Sequence, residues 1–314
     1  SISTGLRYQS AYNGNAIING GMDIWQRGTT FTNPTVANYT ADRFMINRSG
    51  DTSGATVSRT TSSTTGFQYA MQWQRTAGNT GTQSMEIYYG LESNDSYRFA
   101  GQTATLSFYA KKGANYSGGN LNYQIASGTA TDAKPYGYTT TVASTSATLT
   151  TSYQRFSVTG TFASNITQAF FNVSWTPSGT AGADDSVYIT GVQLELGSVA
   201  TSFKRAGATI QGELAACQRY YQVVGGASNV FPIASGYVSA ASQYLRYPIS
   251  FPVELRTTPT ATKNGTWTVS NAAQPQIGMI SAKGWTFQLE STASGIILAH
   301  PDSADDTITF SAEL

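Results

Sequence analysis

One cysteine, Cys217, excludes an internal disulfide framework and any multi-cysteine zinc site; in an apolar setting it reads as a small buried thiol. One histidine, His300, leaves a Ser-His-Asp triad a single place to stand. No Gly-x-Ser-x-Gly turn leads into a helix to serve it, so His300 reads as a turn residue. Charged residues make up only 11% of the chain, against about 25% in an average globular protein. The shortage is even-handed, with 18 Lys and Arg against 17 Asp and Glu and a net charge of +1. That balance gives no general attraction to nucleic acid or to an anionic membrane. No apolar run reaches the roughly 18 residues a membrane span needs, so no membrane insertion is expected, and no secretory signal is visible. Coiled-coil heptads are missing too, and no helical period longer than two turns precedes residue 210, which argues against a βαβ fold. Walker and dinucleotide glycine patterns are likewise missing from any strand-loop-helix setting, so no cofactor is expected.

What is present is Ser, Thr, Asn and Gly in quantity, 12% aromatic residues and 19 tyrosines, a composition that predicts an all-β protein with a hydroxyl-lined surface. At 314 residues the chain is long enough for two domains, each with its own core. Alternating runs predict strands at 43–48, 55–60, 67–75, 83–91, 103–111, 120–126, 153–162, 168–175 and 186–196, the pattern of a β-sandwich. Trp25, among Ile17, Ile18, Met22 and Ile24, reads as core, and Gly20-Gly21 allows a bend there. In the last of these strands Tyr188, Val192, Leu194 and Leu196 mark the more apolar face.

The pattern breaks at Gly197, and a polar connector follows to about residue 208. Ile210, Leu214, Cys217 and Tyr221 then recur at helical spacing, although Tyr220 onward also suits the start of a strand. Beyond this junction strands are predicted at 223–224, 237–240, 243–251, 258–263, 266–270, 276–280, 285–290, 295–299 and 307–312. Asn264-Gly265 predicts a type I′ hairpin, and Pro248, Pro252 and Pro259 place their strands at edges or ends. The division expected is a lead-in at 1–14 anchored by Tyr8 and Tyr12, a jelly-roll-like β-sandwich at 15–205, a hinge at 206–222 with a short helical segment, and a smaller β-sandwich domain at 223–314. Ser1 is not an initiator Met, and a further segment upstream is expected.

Asn15-Ala16-Ile17-Ile18-Asn19-Gly20-Gly21-Met22-Asp23-Ile24-Trp25-Gln26-Arg27-Gly28 and Tyr39-Thr40-Ala41-Asp42-Arg43-Phe44 form one set of landmarks. Gly191-Val192-Gln193-Leu194-Glu195-Leu196-Gly197, Ala200-Thr201-Ser202-Phe203, Glu213-Leu214 and Cys217-Gln218-Arg219-Tyr220-Tyr221 form another. As a set they resemble a module of tail-fibre and receptor-binding proteins of tailed bacteriophages, over about residues 15–221. The strand set is also similar to jelly-roll carbohydrate-binding modules, which often end in a strand whose acidic residue helps hold a structural calcium. Here Thr190 takes that place; Asp184 and Asp185 lie just upstream, and they read as a solvated acidic turn in preference to a metal site. The resemblance implies a non-enzymatic virion tail fibre that attaches to bacterial surface polysaccharide or lipopolysaccharide, assembled as a homotrimer with other virion tail proteins.

Two further functions stay open. A glycosidase needs two carboxylates about 5 to 9.5 Å apart. Glu86, Glu92, Asp95, Glu195, Glu254 and Glu290 are available, yet nothing in the sequence converges on a pair. A purely structural fibre segment is the other. For binding, an aromatic platform beside amides and charges suits a sugar's apolar face and hydroxyl rim. The loops 113–120 and 131–138 have those ingredients, which makes Tyr116, Asp132, Lys134, Tyr136 and Tyr138 the candidate glycan contacts. Tyrosines that cover loop ends or an oligomer interface are the plain alternative, and a second location is around Tyr237, Tyr244 and Trp285.

Overall fold

The structure, a computed structural model, describes residues 14–34, 36–48, 54–226 and 233–314. All of the predicted lead-in except Gly14, Tyr8 and Tyr12 included, lies outside them. The chain forms two compact units, one ending at Ala216 and the other spanning Cys217–Glu313. Among the described residues no helix is long and apolar enough to cross a membrane.

The first unit contains β1 (Thr30–Thr32), β2 (Asn38–Tyr39), β3 (Met45–Arg48), β4 (Ala55–Thr61), β5 (Tyr69–Arg75), β6 (Met85–Gly90) and a helical turn α1 (Ser93–Ser96). It continues with β7 (Thr103–Lys112), β8 (Leu121–Gly128), β9 (Thr140–Ala147), β10 (Gln154–Thr161), β11 (Gln168–Trp175) and β12 (Asp185–Leu196). Two six-stranded antiparallel sheets result, ordered β1-β4-β5-β12-β7-β10 and β2-β3-β6-β11-β8-β9. Alternation turns Val57, Trp73, Leu106 and Phe108 of the first sheet and Ile87, Tyr123, Phe171 and Trp175 of the second into one core. Across it Trp73 meets Trp175 edge-on at 5.4 Å, and Phe108 meets Tyr123 at 5.1 Å. Trp25 belongs to this core, its indole N–H given to the Met22 carbonyl.

β12 departs from its predicted parity. Val187 and Ile189 point inward, yet so do Val192 and Leu194, because the register shifts between Thr190 and Gln193 and exchanges the two faces. Gly191 turns there with φ of 63°, and the freed Val192 N–H is taken by the Gly20 carbonyl at 2.9 Å. A single bulge explains why neither parity is uniformly apolar.

Helix α2 (Ile210–Gln218) occupies the predicted position, but its stripe is not a buried face: Ile210 and Leu214 are exposed, and Cys217 and Glu213 are the buried residues. In the second unit β13 (Tyr221–Gly225), β14 (Ala234–Val238) and β15 (Tyr244–Ser250) enter three separate sheets. β16 (Thr260–Lys263), β17 (Thr268–Ser270) and β18 (Gln276–Gly278) revisit them in the same order, and β19 (Gly284–Glu290), β20 (Gly295–His300) and β21 (Thr307–Ser311) return in the opposite order as the central strands. The sheets are therefore β13-β21-β16, β14-β20-β17 and β15-β19-β18, around Trp267, Trp285, Phe287, Ile297 and Phe310. Pro248 lies on the edge strand β15, where a missing N–H costs no ladder bond.

Asn264-Gly265 does not close a hairpin, since β16 pairs with β21 and β17 with β20. Gly265 alone has positive φ, and a Cβ there would meet Asp306 at 2.1 Å. The pair instead carries the chain from one sheet to the next.

Candidate functional site

The landmark residues face one another. Asn15 Oδ1 accepts the N–H groups of Ile17 and Leu194 at 2.8 and 3.0 Å, while its Nδ2 donates to the Val192 carbonyl at 2.8 Å. Arg205 bonds Asp23 at 2.8 Å, and Gln193 Oε1 accepts the Lys204 N–H at 2.8 Å. Glu195 accepts from the Thr201 hydroxyl and N–H. Glu213, 1% exposed, accepts the N–H of Asn19 and, at 2.6 Å, that of Gly207. Burial pushes the Glu213 carboxyl above its ordinary range, with those two N–H groups pulling the other way. These side chains lash the N-terminal segment and the connector to β12.

The predicted glycan contacts separate. Tyr116 precedes β8 and residues 132–138 follow it, so they sit at opposite ends of a strand eight residues long, roughly 25 Å apart. Tyr116 is half-buried against the core, gives its hydroxyl to the Gly119 carbonyl, and has its phenol pushed up first by burial and then by Asp185. It is a loop-end tyrosine. Asp132 is also committed, since its Oδ1 accepts the Ser93 N–H at 2.8 Å while its own N–H goes to Ser93 Oγ at 3.0 Å, fastening the β8–β9 loop to α1. Trp285, in the second location, is buried in the core of the second unit.

The acidic turn is only partly solvated, with Asp184 half-exposed and Asp185 buried. Asp185, 3% exposed, pairs with buried Arg75 at 2.9 Å and accepts two bonds from Ser117. Asp184 accepts from Ser186, the Ala114 N–H and Tyr188. Burial alone would raise its pKa, but these bonds and Lys111 outweigh that and leave it below the usual carboxylate range. Among the described residues no group of His, Cys, Asp and Glu is arranged to hold a metal ion.

Tyr136, Tyr138 and Lys134 do come together, on the outer face of the second sheet. The β8–β9 loop lies flat there because Gly90 and Gly128 leave room: a Cβ on Gly90 would stand 3.1 Å from the Phe170 ring and 3.2 Å from Pro135. The Tyr136 and Tyr138 rings both pack on Tyr88, at 6.3 and 6.4 Å, and the Lys134 ammonium lies over Tyr136 at 5.8 Å. Tyr136 remains 43% exposed.

Beside this aromatic end the same face carries two largely polar rows across five strands. In register, Asn47, Glu86, Ser174, Asn122 and Ser146 make one row. Met45, Tyr88, Asn172, Gln124 and Ser144 make the other. Six of them, Asn122, Gln124, Ser144, Ser146, Asn172 and Ser174, line an open groove of about 420 Å³, and Glu86 and Tyr88 stand on the next strand, across from Ser174 and Asn172. Neighbouring strands are about 4.8 Å apart, so each row spans roughly 19 Å. Glu86 Oε2 accepts from Asn47 at 2.8 Å and from the Tyr88 hydroxyl at 2.7 Å. Burial, reinforced by Glu86, pushes the Tyr88 phenol far above the tyrosine range, which keeps it a donor. Burial also raises Tyr138, with Gln124 partly offsetting it.

β9, which supplies Ser144 and Ser146, is absent from the sequence-based strand set. As a Ser- and Thr-rich edge strand it has no apolar alternation, and only the β-branched run Thr139 to Val142 marks it. Chemically the groove offers neutral amide and hydroxyl donors and acceptors beside an aromatic wall. Glu86 is the carboxylate of its rows.

No protein-family model and no curated protein matches the chain. Among solved structures it is similar to the enzymatically active domain of bacteriophage CBA120 tailspike protein 4, at 12% identity and a TM-score of 0.38 over 58% of this chain. It spans about a fifth of that tailspike domain, 21%. A CBM4 structure matches at 19% identity and a TM-score of 0.36, covering 57% of this chain and 98% of that one. A CBM22-1 xylan-binding domain from Paenibacillus barcinonensis matches at 11% identity and 0.33, covering 55% and 94%.

Proposed function

We propose that the first unit is a non-enzymatic glycan-binding module, with its site in the groove on the outer face of the β2-β3-β6-β11-β8-β9 sheet. The observation that carries this is the open groove between the two rows, lined by amides and hydroxyls without formal charge, reached by solvent at Asn122, Ser144 and Ser146 and flanked by tyrosine rings. A sugar presents hydroxyls at its rim and C–H groups on its faces, and the groove presents partners for both. The biological setting is the one implied by the residue 15–221 landmarks: a bacteriophage tail fibre in the virion, attaching to bacterial surface polysaccharide or lipopolysaccharide as a homotrimer alongside other tail proteins.

Binding without hydrolysis is the reading favoured over a depolymerase because Glu86 is held by Asn47 and Tyr88 and faces no second carboxylate on its rows. A structural fibre segment would have no use for an open polar groove.

The test uses Tyr136→Ala and Gln124→Ala, each checked for unchanged melting and assayed on host cells and on a glycan array. Loss of a stacking ring or an amide partner is worth on the order of 1 kcal/mol, so about a five- to tenfold loss of affinity is expected for each. Adsorption unchanged in both folded variants would move the site off this face. Release of reducing sugar from host polysaccharide would favour the depolymerase.

A further inference from the structure

We infer that the groove takes an uncharged glycan, and that Glu86 is the residue that turns anionic sugars away. The inference rests on the glycan-binding reading of the groove and adds a ligand class to it. Asn122, Gln124, Ser144, Ser146, Asn172 and Ser174 bring no formal charge. No arginine or lysine occurs at any of the ten register positions of the two rows. A site for uronate, sialate or phosphate would use a guanidinium or ammonium to offset the ligand's desolvation, and Arg in particular matches a carboxylate bidentately.

The charge that is present has the same sign as such ligands. Glu86 stands directly across from Ser174 and one strand further from Asn122. Asn47 and Tyr88 both bond Oε2, which fixes the carboxylate in place, and no hydrogen bond reaches Oε1 from the described residues. The exposed cation at that end, Lys134, lies over the Tyr136 ring, beyond the rows. A neutral sugar hydroxyl can donate to Glu86 Oε1. A sugar carboxylate at the same place meets like charge at close range, which is repulsive even with generous screening.

The experiment measures binding of the full chain to two sets of immobilised linear polysaccharides, neutral (glucan, xylan, galactan) and anionic (polygalacturonate, polysialate), at physiological salt. Wild type, Gln124→Ala and Glu86→Gln are compared. Gln keeps an oxygen for Asn47 and Tyr88 while removing the charge. The expected result is wild-type binding within the neutral set, weakened about fivefold or more by Gln124→Ala, and affinity for the anionic set raised roughly tenfold by Glu86→Gln. Wild-type binding to the anionic set that Gln124→Ala weakens would overturn the ligand class while leaving the groove as the site. An anionic-set affinity unmoved by folded Glu86→Gln would overturn the role of Glu86. Binding to either set that ignores Gln124→Ala, or no binding to any member, would overturn the groove reading itself.

Discussion

Glu213 shows how much one residue does in the architecture of the first unit. Its buried carboxylate receives two backbone N–H groups, from Asn19 and Gly207. Glu213→Ala leaves both unpaired, and a loss of about 2–4 kcal/mol in unfolding free energy is expected by denaturant titration. The pH dependence has a definite sign. Burial raises the folded pKa above the unfolded value, so between the two the folded state binds more protons and stability falls as pH rises. Relative to the non-titrating Glu213→Gln, the wild type should therefore gain stability on going from pH 7 to about pH 5. A gain in the opposite direction would mean that the two hydrogen bonds outweigh desolvation. Asn19 and Glu213 were legible as landmarks, but their 194-residue separation hid that they are partners. The same is true of Asp132: a loop aspartate reads as a ligand contact, and only the fold shows Ser93 within reach.

At the scale of elements, the bulge in β12 and the flat β8–β9 loop matter most. The bulge is held by close backbone approach, since a Cβ on Gly20 would lie 2.1 Å from the Val192 carbonyl oxygen. Gly20→Ala is expected to destabilise by about 2 kcal/mol or more, whereas Gly119→Ala, with open space around it, should stay within about 0.5 kcal/mol. Equal melting temperatures for the two variants would contradict the close approach. Strands with clean apolar alternation, such as β7 and β8, could be read directly, because one face must be buried and the period is two. β9 could not, because an edge strand with polar groups on both faces leaves no such mark. That omission hid one wall of the groove: Asn122 and Gln124 look like ordinary solvent-facing positions until Ser144 and Ser146 are placed beside them. Tyr136 and Tyr138 were legible as an aromatic pair because aromatic residues in a turn-rich loop stand out. Tyr116 was grouped with them through proximity in sequence, yet successive loops of one strand necessarily lie at opposite ends of it.

For the whole molecule, weak individual grooves would become effective through repetition. The expected homotrimer would present three copies to one surface, and later contacts would then be intramolecular, with gains of about 10²- to 10⁴-fold over a single site. Light scattering should give a trimer at micromolar concentration, and a stable monomer of 33.4 kDa would contradict that expectation. Polysaccharide displayed on cells should then be bound far more tightly than a short soluble oligosaccharide of the same repeat. The central claim is that glycan lies on the outer face of the β2-β3-β6-β11-β8-β9 sheet. The most direct measurement fills that face: Asn122→Trp places a bulky ring in the groove at an exposed position, and Ser58→Trp places one on a strand of the opposite sheet. With melting unchanged in both, host-cell adsorption should be abolished by Asn122→Trp and retained by Ser58→Trp, while full adsorption by folded Asn122→Trp would contradict binding at this face.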